Sequence, residues 1–268
     1  MSELDGLKAW VGRETTSSGL LADELADRFL ATLDLERDMT ELPLGIHWCV
    51  GLESAATGKL GPDGHPPKGD FLPPVPYPRR MWAGGAMQIF GPLLRGQTVE
   101  RRSRIAAVEP KSGKSGNLCF VTVQHGILAD GKLVIEERQD IVYREAGPAG
   151  ASLPILPADE ARSLTPTPPL LFRYSAMTFN AHRIHYDLSY AQREENYPGL
   201  VIHGPLQATL LADHAARQLS RPLRRFSFRG QAPAFDTAAL TLRVQPEGDG
   251  AKVWSEQYGK PCMIAEAA

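Results

Sequence analysis

Two stretches of this chain, one in each half, read as the same succession of strands and tight turns, and nothing else in the sequence constrains its fold as strongly. In the first, residues 98–108 lead through a turn at Lys111–Gly116 into Leu118–Leu128, and Ala129-Asp130-Gly131-Lys132 reverses the chain into Leu133–Tyr143. In the second, Leu240–Val244, the turn Pro246–Gly250, Val253–Tyr258, the turn Gly259-Lys260 and Cys262–Glu266 follow in the same order. Apolar residues alternating between glycine- and aspartate-rich breaks predict antiparallel meanders, because successive side chains on a strand point to opposite faces. Upstream of each meander stands a related tetrapeptide, Leu94-Arg95-Gly96-Gln97 and Phe228-Arg229-Gly230-Gln231. The pairing reads as a weak internal repeat and predicts two halves of one architecture.

Helical spacing is confined to two places. Leu20–Leu33 follows Ser17-Ser18, which offer a cap, and Gly204–Leu219 carries Leu206, Leu210, Leu211 and Leu219 directly after the apolar run Leu200-Val201-Ile202 and His203. An α+β fold with antiparallel sheets wrapped around buried helices is the simplest assembly of these parts. Residues 144–170 are rich in proline and poor in apolar clusters, so they read as a connection, with a boundary near residue 160. The expected units are residues 1–160 and 161–268. Gly58–Pro78 is a second proline- and glycine-rich stretch, of the kind that forms a long ordered loop.

A formal charge of −2, from 29 basic and 31 acidic residues, gives no global field for nucleic acid or an anionic membrane. The cysteines Cys49, Cys119 and Cys262 form no close pair, which argues against a disulfide framework or a thiolate zinc site and for a reducing compartment. The N-terminal residues lack the pattern of a signal peptide, and no apolar run reaches the length of a membrane span. A soluble cytoplasmic protein is expected.

The densest chemical information lies in Phe172–Asp187. His185 supplies an imidazole that titrates near neutrality and can carry a proton. Asn180, five residues earlier, can orient water but cannot act as acid or base. The N–H of Gly204 would lie at the start of the predicted helix, where backbone donors lack partners and the dipole favours negative charge, and glycine admits close approach of a ligand. A lone histidine is more often structural than catalytic, so these residues alone do not settle a function. His182 and His203 offer a three-histidine metal set with His185, but no acidic ligand is placed and the spacing is not that of a helical metal motif, so they are expected to be hydrogen-bonding neighbours and no metal is expected. Asp187 is expected to cap the helix that follows it.

The segment resembles the MaoC-like, R-specific enoyl-CoA hydratase (hydratase 2) family, which carries Asp-x-Asn-Pro-x-His followed by an apolar strand and His-Gly. Asn180 stands where that family has its catalytic Asp, His182 where it has Asn, Arg183 where it has Pro and His185 where it has the catalytic His, while Val201-Ile202-His203-Gly204 matches the oxyanion turn. Arg79–Gly85, Arg173–Asp187 and Gly204–Ala208 are similar to a subgroup that includes 3-methylfumaryl-CoA (mesaconyl-C4-CoA) hydratases and mitochondrial-type 3-hydroxyacyl-thioester dehydratases. The resemblance, which spans about residues 75–268, implies a double hotdog whose first unit is non-catalytic and makes room for the acyl group. It implies reversible hydration of a short, branched, carboxylated enoyl-CoA, with Asn180, His185 and Gly204 catalytic, no metal or redox cofactor, coenzyme A arriving with the substrate, and a possible homodimer. The Asn at 180 removes the carboxylate of the family's usual pair and puts a two-base mechanism in doubt.

Around that core the sequence nominates further substrate contacts: Arg80, Trp82, Gly84 and Gly85 for the acyl group, an arginine there suiting a free carboxylate, and Arg224, Arg225 and Arg229 for the phosphates of coenzyme A. His182, Arg183 and His203 complete the set. Alternatives are hydration of itaconyl-CoA, dehydration of fatty 3-hydroxyacyl thioesters and, from other classes, a hotdog thioesterase or a silent acyl-CoA-binding module.

Overall fold

The computed structural model describes residues 5–36, 40–113, 116–145 and 160–268. Its ten strands are β1 (Glu14–Leu20), β2 (Arg79–Ile89), β3 (Thr98–Gly113), β4 (Gly116–Ala129), β5 (Lys132–Arg144), β6 (Glu160–Leu164), β7 (Arg225–Gly230), β8 (Leu240–Glu247), β9 (Gly250–Gln257) and β10 (Lys260–Ala267). They form one sheet in the order β1-β3-β4-β5-β2-β7-β10-β9-β8-β6, and every neighbouring pair is antiparallel. Read outward from the β2–β7 seam, the order is the same in both directions. The sheet is therefore two copies of a five-stranded unit fused edge to edge, which removes one exposed edge from each.

Among the described residues four α-helices accompany the sheet: α1 (Asp23–Thr32), α2 (Pro168–Met177), α3 (Leu188–Arg193) and α4 (Gly204–Leu219). Helix α4 packs on β7–β10 with Leu206, Ala208, Leu210, Leu211 and Ala215 buried, the face its leucine spacing predicts. In the first half, Leu42 N–H donates to the Leu93 carbonyl and Glu41 bridges Leu94, just as Ile202 donates to Ala234 and Val201 bridges Phe235. From these matched positions the second half runs through His203 into a helix of 16 residues. The first half runs through Gly45 into a 3-10 turn of 4 residues, Ile46–Cys49, all of them buried.

Several sequence expectations change here. Ser17 and Ser18 lie in β1, paired with Arg101 and Glu100, so they do not cap α1. That helix begins at Asp23 without a side-chain cap, its acidic Asp23 and Glu24 interacting favourably with the dipole, and it packs on α2 instead of forming the centre of the first unit. The tetrapeptide repeat is out of register: Leu94 corresponds to Phe235 by the matched bridges, which puts Arg95-Gly96 in a turn, whereas Arg229-Gly230 end strand β7. The duplication stands on topology alone. Strand β6 and the start of α2 occupy part of the expected connection. Its remainder, 146–159, lies outside the described residues, as do 114–115 of the expected turn, so the boundary near residue 160 falls at the edge of what is described.

The main core joins both halves, with Phe29, Ile46 and Trp48 in one cluster with Leu206, Leu211, Phe226 and Val253. A second cluster, including Val75, Tyr77, Ile105, Val121 and Tyr143, pins the proline-rich loop to the first unit. Lys68 Nζ reinforces this by donating to the Val75 and Tyr77 carbonyls at 2.8 and 2.7 Å.

Candidate active site

The candidate catalytic segment begins where α2 stops. The N–H of Asn180 reaches back to the Ser175 carbonyl at 2.8 Å and Phe179 takes φ 49°, the left-handed stop that usually employs glycine and costs a side-chain-bearing residue roughly 1 kcal/mol. Asn180 Oδ1 then accepts from the His182 N–H at 3.0 Å, closing a local turn. A 3-10 turn, Arg183–His185, carries His185 inward. Asp187 caps α3 by accepting from Tyr190 N–H at 3.0 Å, as its position in the sequence predicts. It also holds Arg183 at 2.7 Å, and that guanidinium lies over the Tyr190 ring, 4.2 Å from its centroid.

His185 is buried, and its Nδ1 meets the Val201 carbonyl at 2.7 Å. A carbonyl can only accept, so Nδ1 carries the proton and Nε2 is left as the proton acceptor. Burial pushes the His185 pKa down to about 4, opposed by the bond to Val201, which keeps the ring neutral at neutral pH. His203 stacks on it with centroids 3.7 Å apart and planes at 18°. His203 is itself held by Ser175 Oγ at 2.8 Å from Nε2, and burial drives its pKa well below the usual range. It is a neutral wall for the ring of His185.

Helix α4 starts beside these two rings. Gly204 lies in its first turn, where N–H groups have no intrahelical acceptor. A Cβ there would sit 3.7 Å from the Trp82 ring, an ordinary contact, so packing alone does not demand glycine. Trp82 comes from β2 of the other half and meets Trp48 and Phe228 edge-on at 4.9 and 5.0 Å. The site is thus built across the seam.

The proline-rich loop of the first half closes over the same segment. The carbonyls of Asp63 and Pro62 accept from Arg183 N–H and Nη1 at 2.9 and 3.0 Å. Gly64, at φ 89°, presses so near the Ala181 carbonyl that a Cβ would come within 1.8 Å of its oxygen, so only glycine fits. The Asp63 carboxylate accepts from the His65 backbone N–H at 3.0 Å and meets His65 Nδ1 at 2.8 Å. The His65 ring lies 4.0 Å from that of His182, which lies 5.4 Å from that of His185. Sequence reasoning missed Asp63 and His65. The signal was Asp63-Gly64-His65, three chemically distinct residues in a loop otherwise dominated by proline and glycine.

Of the residues nominated from sequence, Asn180, His182, His185, His203, Gly204 and Trp82 come together. Arg80 faces the same region: burial is the main cause that lowers the pKa of His65, Lys68 and His182, and the Arg80 charge adds to it. Arg79, its neighbour, is engaged with Glu195 at 3.2 Å. The structure gives the other nominations places of their own. Gly84 and Gly85 serve the seam, where a Cβ would approach the Phe228 and Arg138 carbonyl oxygens to 2.5 and 2.6 Å. Arg183 is tied to Asp187 and Pro62. Arg224, Arg225 and Arg229 are exposed, and since Phe226 and Phe228 point into the core, strand alternation sends Arg225 and Arg229 to the opposite face of the sheet from His185.

The donor atoms of Asp63, His65 and His182 lie within 4.8 Å of one another. Within that group Asp63 and His65 form a hydrogen-bonded pair, and the His182 ring lies 4.0 Å from that of His65, tilted at 37°. Of the three histidines weighed from sequence as a metal set, His185 commits Nδ1 to Val201 and His203 commits Nε2 to Ser175.

Residues 45–236 match the family profile of hydroxyacyl-thioester dehydratase type 2. The mesaconyl-C4-CoA hydratase of Chloroflexus aurantiacus is 47% identical over 93% of this chain and 92% of its own length. A MaoC-like dehydratase structure superimposes with a TM-score of 0.71 at 16% identity, covering 97% of this chain and 98% of the other. A Mycobacterium tuberculosis protein described as a double hotdog does so with a TM-score of 0.59 at 13% identity, covering 98% and 96%. The two mirrored five-stranded units are the two hotdogs, and this chain belongs to the hydroxyacyl-thioester dehydratase type 2 family of MaoC-like double-hotdog proteins.

Proposed function

We propose that this enzyme reversibly hydrates the double bond of a short, branched, carboxylated enoyl-CoA, with 3-methylfumaryl-CoA (mesaconyl-C4-CoA) as its substrate. The observation that carries the reading is His185: a buried neutral imidazole, fixed by Val201 with Nε2 free, beside the N-terminus of α4. The 47% identity to a mesaconyl-C4-CoA hydratase over nearly the full length supports the acyl group.

In hydration, His185 Nε2 takes a proton from water as the water oxygen attacks the β-carbon, which bears the methyl group and the carboxylate. The π electrons move toward the thioester, and the Gly204 N–H holds the enolate oxygen that develops. Asn180 orients water through its amide. Protonation of the α-carbon completes the addition, and dehydration runs the same steps backward. Arg80 holds the free carboxylate, while Trp82 forms the wall against the acyl group. The first unit, residues 1–160, carries no second site in this reading: its counterpart of α4 is a single 3-10 turn, and it contributes Trp82, Arg80 and the loop. Coenzyme A enters with the substrate, and the chemistry calls for no metal or redox cofactor. The three buried free cysteines suit a reducing cytoplasm, and among the described residues no helix is long and apolar enough to cross a membrane. The exposed Phe172, Phe179 and Leu188 support a homodimer, which sedimentation velocity tests.

The deciding experiment follows the enoyl-thioester absorbance with 3-methylfumaryl-CoA, itaconyl-CoA and crotonyl-CoA, for wild type, His185→Ala and Arg80→Ala. The expected result is loss of the band with 3-methylfumaryl-CoA only, its abolition in His185→Ala, and a raised KM in Arg80→Ala. Preference for crotonyl-CoA would assign the chain to 3-hydroxyacyl-thioester dehydration, the reaction that the family's name favours. Release of free thiol would assign it to thioester hydrolysis, and tight binding without turnover to a carrier role.

A further inference from the structure

Resting on that reading, we propose that His65, backed by Asp63, is a second catalytic imidazole of the site, and that its Nε2 delivers the proton to the α-carbon while His185 removes one from water. The need for such a group arises at Asn180. An amide cannot carry a proton, and Asn180 Oδ1 is already taken by the His182 N–H. With His185 as base, the enolate still requires an acid.

Asp63 and His65 have the geometry of that acid. The carboxylate meets the ring at Nδ1, 2.8 Å away, and the backbone N–H of the same residue at 3.0 Å, which leaves Nε2 as the working atom. This is the arrangement by which a carboxylate orients an imidazole and stabilises its protonated form. The pair is partly shielded, with side chains 17% and 25% exposed, and the loop that bears it is fastened to the catalytic segment through Arg183 and through the Gly64–Ala181 contact. Its His65 ring lies against His182, one ring removed from His185.

The protons balance on this pair. In the form that carries out hydration one proton resides on His65, against Asp63, and His185 is neutral. Water loses a proton to His185 Nε2 as its oxygen bonds to the β-carbon, and the π pair becomes the enolate. His65 Nε2–H then protonates the α-carbon as the enolate collapses to the thioester. The proton left on His185 returns to His65 through solvent, and in dehydration each imidazole takes the opposite role. Burial is the largest influence on His65 and lowers its pKa; of the charged or titratable groups facing it, Asp63 opposes that shift and favours the protonated form, Lys68, Arg80 and His182 add to it, and His185 lies beyond His182. Among these Asp63 alone stabilises the imidazolium.

The test compares wild type, His65→Gln, His65→Ala and Asp63→Asn for hydration of 3-methylfumaryl-CoA across pH, with circular dichroism and Tm to verify folding. Loss of kcat by about 100-fold or more in His65→Gln with little change in KM is expected. Added imidazole should restore part of the rate to His65→Ala. In Asp63→Asn the alkaline fall of kcat should move to lower pH, because the variant's His65 gives up its proton sooner. Folded His65→Gln with activity within twofold of wild type, or an unmoved alkaline limb in Asp63→Asn, would overturn the role of His65 alone. So would activity lost to a chelator and restored by zinc, which would give the cluster to a metal. A wild type inert toward every enoyl-CoA would instead overturn the function on which the role rests.

Discussion

Replacing His185 by Gln separates the two consequences of burying an imidazole: a base ready at neutral pH and a liability in acid. The ring's pKa falls from the ordinary 6.5 to about 4 on folding. Between these values the unfolded chain binds the proton and the native one does not, so stability falls as pH drops from 6.5 toward 4 and no further loss comes from this group below that. At about pH 5 the difference in proton binding corresponds to about 1.5 pKa units, or about 2 kcal/mol. Gln does not titrate. Wild type should therefore lose about 2 kcal/mol more than His185→Gln between pH 7 and about pH 5, read from urea midpoints at both pH values. His125, which burial also holds at about 4, contributes to both proteins and cancels. The same variant should lose at least about 100-fold in kcat. Equal acid destabilisation of the two proteins, or an imidazole of His185 that titrates near its ordinary value by NMR, would refute the reasoning.

Gly84→Val should destabilise by about 1 to 3 kcal/mol in urea unfolding, because the new Cβ would fall 2.5 Å from the Phe228 carbonyl oxygen on the seam that joins the halves. Glu137→Ala should cost about 3 to 5 kcal/mol, since Glu137 is buried against His47 at 3.4 Å and Trp48 Nε1 at 2.9 Å and its charge favours the buried Arg101 cation; an unchanged unfolding midpoint would contradict it. Arg225→Ala and Arg229→Ala should leave the KM for the CoA substrate within about twofold at moderate salt, because exposed charges across the sheet are screened beyond roughly 10 Å. A large rise in KM would bring coenzyme A to that face.

What the sequence disclosed, and what it concealed, follows from the range of the interactions involved. The meanders and α4 were legible because strand alternation and helical spacing are local periodicities, and the Asp187 cap because it depends on a residue only three positions away. The helix at residue 23 was found without its correct start, since Ser17 and Ser18 were claimed by pairing with β3. The tetrapeptide repeat pointed to the right architecture by a register that the fold does not use, because topology is fixed by which strands pair and not by identical letters. His185, Asn180 and Gly204 lay within one motif and its following helix. Asp63 and His65 lie some 120 positions from His185 by the numbering of the chain, and nothing local marks them as its neighbours. Their place is set by the anchoring of Val75 and Tyr77 in the second core, within the first unit, and by Gly64 against Ala181, a contact that exists only once the halves have joined. The half whose counterpart of α4 is a single 3-10 turn thus still helps to build the candidate site: it lends a loop and Trp82.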